Sequence, residues 1–262
     1  MEIWQAIVLG LVQGLTEFLP VSSSGHLIFF QRLIGVDLEG GAMFLGVMLH
    51  VGTLLSLCVA FFRDILDLFK KPFHTLFYLV IASVPAAVVG LLFGDEIDAV
   101  FYGGQYLCYG FLATGILLLI TEYVGKKTQN PKPLDWKRAA IMGLSQAAAV
   151  LPGLSRSGTT ISAGTLAKTE KEKVGTFAFL MSIPVIGGAA LIEMIDVARG
   201  KTAVASSEIA AVLVGMAVAA ISGYVAIRFM LKLIRKANYK WFSIYLFAMA
   251  IFTFVNNYVQ LI

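Results

Sequence analysis

Charge is what this chain has least of. Only 14% of its 262 residues are Asp, Glu, Lys or Arg, against 58% hydrophobic residues and a mean hydropathy of +0.84. A soluble domain carries about 25% charged residues, so a water-exposed globule is excluded and a multispanning membrane protein is implied. Cysteine is nearly absent. Cys58 and Cys108 both fall in apolar runs with no metal-ligand spacing, which excludes a disulfide framework and reads as buried free thiols. Histidine occurs three times, as His26, His50 and His74. The net charge of +4 is no nucleic-acid footprint, because the basic residues cluster at the ends of apolar runs. Met1-Glu-Ile-Trp4 lacks a basic n-region, so no cleaved signal peptide is expected.

Against that background one polar stretch is costly. Gly143 to Thr160 contains Pro152-Gly-Leu-Ser-Arg156-Ser-Gly-Thr-Thr160 inside an apolar sequence. An arginine at membrane depth costs roughly 2.5–3.5 kcal/mol on insertion scales and is usually functional. Broken backbone there is tolerated only against protein or a water-filled cavity. A similar stretch occurs earlier, Gly10 to His26, with Pro20-Val-Ser22-Ser23-Ser24-Gly25 at its break. At a constant offset of 133 residues, Gly10 matches Gly143, Gln13 matches Gln146, Ser22 matches Ser155, Ser24 matches Ser157 and Gly25 matches Gly158. Phe44, Met48, Gly90 and Tyr106 continue the register with Phe177, Met181, Gly223 and Tyr239. The prolines miss it by one.

The arms around the first break, near 3–19 and 26–34, are too short to span, since a crossing takes about 20 apolar residues. A re-entrant hairpin fits. Apolar runs near 43–62, 75–94 and 104–124 follow, then a polar loop 126–133, a second re-entrant hairpin at 138–167, and runs near 174–195, 208–230 and 240–261. The expected fold is therefore an all-α integral membrane protein. It has two inverted-topology repeats, 1–125 and 134–262, each a re-entrant hairpin plus three transmembrane helices. Three crossings per repeat invert the second. Loop charge agrees: Arg63, Lys70 and Lys71, Lys126 to Arg138, Lys168 to Lys173, and Arg228 to Lys240 fall on one side, leaving Arg32, Arg199 and Lys201 on the other. The positive-inside rule then places both termini outside and the 126–133 loop in the cytoplasm.

Inverted repeats bring their broken helices together near the midplane, where ligands bind. Gln13 and Glu17 share a helix face. Ser22–Gly25 and Ser155–Gly158 each open a helix, aiming backbone N–H groups and positive dipole ends at one place. Arg156 adds a bidentate grip on phosphate oxygens. Ser23 is a candidate nucleophile with His26 or Glu17 as base, the spacing placing Ser23 and His26 close enough to meet. Glu17 and Gln13 could instead hold a divalent cation, Mg2+ or Ca2+, or Glu17 could simply pair with Arg156. Thr16 and Ser145 read as back-bonded to their own helices. His50 reads first as a satisfied polar residue inside a span, with a pocket role open. His74 reads as interfacial, Glu193 and Asp196 as closing a helix on the outer side, and Trp4, Trp136 and Trp241 as interfacial anchors.

At these residues the chain resembles the BacA-type undecaprenyl-diphosphate phosphatases. Gln13-Gly-Leu-Thr-Glu17-Phe-Leu-Pro-Val-Ser-Ser-Ser-Gly-His26 is similar to the family's (Glu/Gln)-x-x-x-Glu motif and its Ser/His stretch. Pro152 to Thr160 is similar to its Pro-Gly-x-Ser-Arg-Ser-x-x-Thr motif. The resemblance implies hydrolysis of undecaprenyl diphosphate to undecaprenyl phosphate and phosphate, which recycles the lipid carrier for peptidoglycan and cell wall synthesis and confers bacitracin resistance. It implies a divalent cation, a polyprenyl diphosphate substrate, and a place in the bacterial inner membrane with the site open to the outer face. A homodimer is possible; no nucleic-acid partner is expected. Carried onto this sequence, it makes Glu17, Ser23, His26 and Arg156 the catalytic set, with Gln13, Ser22, Ser155, Ser157 and Thr160 lining the substrate site and Glu17 and Gln13 at the metal. Gln13 stands where some members have glutamate, which shifts acid–base work onto Glu17. The phosphatidic-acid-type lipid phosphatases do not fit, because Ser162 stands where their histidine is needed. The alternative from another class is an inverted-repeat lipid flippase or secondary transporter of an anion.

Overall fold

A computed structural model describes residues 1–36, 41–101, 104–200 and 208–259. Lys201 and the side chains of Asp98, Glu193 and Asp196 lie outside the described residues. The described elements are helices: α1 (Ile3–Phe18), α2 (Ser23–Leu33), α3 (Gly41–Ala60), α4 (Phe62–Leu68), α5 (His74–Phe101), α6 (Leu107–Lys127), α7 (Trp136–Ala148), α8 (Arg156–Leu166), α9 (Lys171–Leu180), α10 (Ser182–Ala198), α11 (Ile209–Lys236) and α12 (Lys240–Val259). The offset of 133 carries α1 onto α7, α2 onto α8, α5 onto α11 and α6 onto α12.

Each expected break separates two packed helices, α1 from α2 and α7 from α8, and each is capped. Pro20 cannot continue α1, whose last residue is Phe18. Ser22 then caps α2 by accepting the Gly25 N–H, so this helix opens at Ser23, a turn earlier than the sequence suggests. Ser155 does the same for α8, accepting the Gly158 N–H at 3.0 Å, and Asp135 caps α7 through the Arg138 N–H at 2.9 Å. At the second tip Gly153 takes φ +90°, a conformation open to glycine at no steric cost, and lies against Gly110 of α6. Glu122, buried near the end of α6, caps α12 by accepting the Tyr239 and Lys240 N–H groups at 2.6 Å each.

One span is less simple than its apolar run. The first run bends by 79° at Phe61, between α3 and α4, whereas α9 and α10 continue through Met181, whose φ and ψ are helical, as one span, Lys171–Ile192. Among the described residues four helices are long and apolar enough to cross a membrane, or five if the bent pair is one span. The run at 240–261 is helical as α12. Large aliphatic side chains such as Leu91 (70% exposed) and Ile221 (70%) cover the outer surface, as lipid contact requires. Trp4, Trp136 and Trp241 are exposed at helix starts, Cys58 and Cys108 are free thiols, and Thr16 and Ser145 bond back to the Val12 and Met142 carbonyls.

The halves grip each other reciprocally. α1 packs along α11, and α7 packs along α5. A Cβ on Gly10 would lie 2.5 Å from the Gly215 carbonyl oxygen, and one on Gly143 would lie 2.6 Å from Ala82 Cα. Adding 133 to Gly10 and Ala82 gives Gly143 and Gly215, so one close crossing occurs twice with the halves exchanged. Small residues allow this approach of backbones, the usual device for helix association in lipid.

Candidate active site

The two hairpin tips meet, and Ser157 Oγ ties them by donating to the Leu19 carbonyl at 2.9 Å. The meeting point is organised by the carboxylate of Glu17, the penultimate residue of α1 and only 6% exposed. Its two oxygens face different chemistry. Oε1 accepts from Nη2 of Arg156, the first residue of α8. Oε2 accepts from Ser23 Oγ at 2.6 Å and from Gln13 Nε2 at 3.0 Å, with His50 Nε2 at 3.5 Å. Gln13, Glu17, Ser23 and Arg156 thus form one cluster, and the sequence separation of 139 between Glu17 and Arg156 closes only through the contact of the two halves.

Several polar atoms there have no partner of their own. Arg156 Nη1 and Gln13 Oε1 are buried without a hydrogen bond. An unmade bond on a buried polar group costs about 1–3 kcal/mol, more for a charged one. A cationic donor and a neutral acceptor left unsatisfied on either side of one carboxylate suit a ligand that brings both negative oxygens and a cation.

His26 lies apart from Ser23. Its Nδ1 and the Ser22 carbonyl are 2.7 Å apart, and its Nε2 and the Tyr245 hydroxyl are 2.6 Å apart. With Nδ1–H donating to the carbonyl, Nε2 accepts from the phenol. The ring stacks on Tyr245 (centroids 5.6 Å, 17°) and meets Phe111 edge-on. The spacing of three does not bring Ser23 and His26 together, because the imidazole folds back onto the carbonyl one turn earlier. Ser23 turns to Glu17 instead.

The remaining expected residues support the tips. Ser22 and Ser155 are the two caps, and their hydroxyls approach Ser24 at 3.4 Å and Ser157 at 3.2 Å. Thr160 Oγ1 donates to the Arg156 carbonyl at 2.8 Å, so it braces the first turn of α8. The sequence reading passed over three groups. Tyr245, 219 residues from His26, has no local signal. Thr114 of α6 accepts the Ser155 N–H at 3.1 Å. Gln146, the repeat mate of Gln13, is 1% exposed with neither amide atom partnered, and the offset alone could have marked it. His50, read first as a span residue, sits at the site.

A profile of the family described as "Bacitracin resistance protein BacA" matches residues 6–252. An undecaprenyl-diphosphatase of Carboxydothermus hydrogenoformans is 38% identical over 252 residues, covering 96% of each chain. One from Methanobrevibacter smithii is 37% identical over 283 aligned positions and covers all of both chains. One from Christiangramia forsetii is 38% identical over 271, covering 99% of this chain.

Proposed function

The chain belongs to the BacA family, and from that membership we propose that it is an undecaprenyl-diphosphatase, hydrolysing undecaprenyl diphosphate to undecaprenyl phosphate and inorganic phosphate. The single observation that carries the mechanism is the bond from Ser23 Oγ to Glu17 Oε2, with Arg156 on the other carboxylate oxygen. A serine becomes a nucleophile when an adjacent base takes its proton. Ser23 Oγ attacks the terminal phosphorus and passes its proton to Glu17. The bond from phosphorus to the bridging oxygen breaks, and undecaprenyl phosphate leaves with that oxygen and the electron pair. Water then cleaves the phosphoserine with Glu17 assisting, releasing phosphate and restoring the hydroxyl. Arg156, through its unpartnered Nη1, and the N-terminal N–H groups of α2 and α8 hold phosphate oxygens as charge spreads over them. His26, engaged by Ser22 and Tyr245, shapes the site beside α2.

The donor set fits a divalent cation, Mg2+ or Ca2+. The Glu17 carboxylate and the unpartnered Gln13 Oε1 are oxygen ligands of the kind hard cations take, with substrate phosphates completing the shell. Among the described residues no cluster of three His, Cys, Asp or Glu side chains could hold a metal alone. When bound, the cation neutralises diphosphate charge.

The helices are arranged as two inverted-topology repeats in the bacterial inner membrane, with both termini outside and the site open to the outer face. The reciprocal crossings of Gly10 and Gly143 and the basic loops support this arrangement. Recycling of the lipid carrier for peptidoglycan, and bacitracin resistance, follow from the activity. Purified protein in detergent, where transport is impossible, is expected to release phosphate from undecaprenyl diphosphate. Arg156→Ala should lower kcat/KM by about 10²–10³. No release by the wild type, or full activity in the variant, overturns the assignment.

A further inference from the structure

The short helix α4 belongs to neither hairpin and contributes nothing to the site. α3 before it has 20 residues, about 30 Å of helix, which already matches the hydrocarbon thickness of a bilayer. The chain then turns by 79° at Phe61. Five of the ten residues from Phe62 to Lys71 are charged, a density that hydrocarbon does not accept. The turn therefore carries α4 along the membrane surface rather than further across it. Ile65 and Leu68 pack against the protein core. Beside them Phe62, Leu66 and Phe69, spaced by four and then three, share a second apolar face that stays uncovered. Phe62 is 61% exposed and Phe69 66%, and Phe73 is exposed just beyond. Arg63 flanks this stripe on the side away from the core. Asp64 and Asp67 lie further round and line a cleft against α9 with Lys173. Lys70 reaches Asp67 at 2.7 Å, but both are largely exposed, so this pair is weak and its ammonium is free to exchange partners.

We infer that segment 62–73 docks in the plane of the membrane, with Phe62, Leu66, Phe69 and Phe73 at the boundary of headgroups and acyl chains and with Arg63, Lys70 and Lys71 on anionic phospholipid headgroups. An apolar stripe with a basic rim is what such docking requires, since buried apolar area and attraction to anionic lipid add. Each basic side chain near an anionic leaflet raises affinity about fivefold. These three also belong to the basic side of the chain, which the positive-inside rule assigns to the cytoplasmic leaflet, where anionic lipid is found. A second copy of this chain is a poorer occupant, because a two-fold contact sets a patch against itself and brings the two basic rims together. Docked in this way, α4 fixes the depth of α3, the helix that carries His50 to Glu17.

The test uses the full chain in lipid nanodiscs, with Trp4, Trp136 and Trp241 changed to Phe and Phe69→Trp added as the single fluorescent reporter. Phe62→Trp serves as a second, independent reporter. Phosphatidylcholine brominated near the headgroup end of its acyl chains should quench either reporter at least ~2-fold more than phosphatidylcholine brominated near the chain ends, as a shallow in-plane position requires. The order should reverse for Ile221→Trp, midway along α11 and facing lipid. At equal mole fraction, brominated phosphatidylglycerol should quench the position-69 reporter with a relative affinity about 3–5-fold above brominated phosphatidylcholine. That preference should fall to near unity in Arg63→Gln/Lys70→Gln/Lys71→Gln, and in molar salt without any substitution, since screening removes attraction between exposed charges. Stronger quenching from the chain ends makes α4 part of a span, and no quenching leaves its face to water or to a second copy; either result overturns the inference. Equal quenching by the two lipids, or a preference that survives both the triple variant and salt, overturns it as well. None of these readouts depends on the catalytic assignment.

Discussion

Glu17→Gln keeps the shape of the central side chain and removes its charge. In the structure Oε1 takes Arg156, and Oε2 takes Ser23 at 2.6 Å and Gln13 at 3.0 Å. An amide has one acceptor oxygen. Turned with that oxygen toward Arg156, its NH2 meets the Ser23 hydroxyl and the Gln13 amide, both of them donors. Turned the other way, its NH2 meets the guanidinium. Ser23 and Gln13 can reorient, but in every orientation a buried arginine loses its counter-charge, and removing one partner of a buried ion pair costs about 3–5 kcal/mol. Near 3 kcal/mol, that corresponds to a fall of roughly 6–12 °C in Tm for a chain of this size. On the proposed mechanism the chemical step suffers separately, because a missing general base slows reactions by about 10²–10⁴. Phosphate release and thermal unfolding in detergent read the two effects independently. Added inorganic phosphate should restore part of the lost Tm in the variant by giving Arg156 an anion. Activity within about 3-fold of wild type together with an unchanged Tm would refute the arrangement of charges described above.

Tyr245→Phe removes one neutral hydrogen bond to His26 Nε2, worth about 1 kcal/mol, so kcat should fall roughly fivefold. The same change on a His26→Ala background should have no further effect, and an additive loss in that double-mutant cycle would mean that Tyr245 acts elsewhere. Gly143→Leu forces α7 away from Ala82 of α5, and Gly10→Leu forces α1 away from Gly215 of α11. Each should cost about 1–3 kcal/mol by overpacking, read as a lowered Tm in detergent; an unchanged Tm in both would contradict the close crossings.

The sequence exposes what is local and periodic. Pro20, Pro152 and the serine caps mark the hairpin tips because helix breaking and capping are short-range chemistry, and the offset of 133 shows the two halves because both copies retain those breaks. The bend at Phe61 is hidden because the run on either side stays apolar, and composition carries no direction. Ser23 and His26 illustrate the limit of spacing: three residues apart permits contact, but a carbonyl one turn back captures the imidazole and a phenol 219 residues away captures its other nitrogen. His50, for which a pocket role stays open in the sequence, is only half legible for a related reason. Its local sequence is that of a span, and only the packing of α3 beside α1 brings it to Glu17.

The exchanged crossings of Gly10 and Gly143 also set an order of assembly during synthesis. The second hairpin leaves the ribosome after α5, so α7 finds its partner already made. The first hairpin precedes its own partner by about two hundred residues, since α1 rests on α11. Until Ile209–Lys236 has been inserted, Glu17 and Ser23 belong to a hairpin that has α3 beside it but lacks its main support, and a chain halted at the central loop lacks Arg156 altogether. A chain truncated there therefore holds Glu17 and Ser23 without Arg156. Hydrolytic competence arrives only with about the last fifth of the polypeptide.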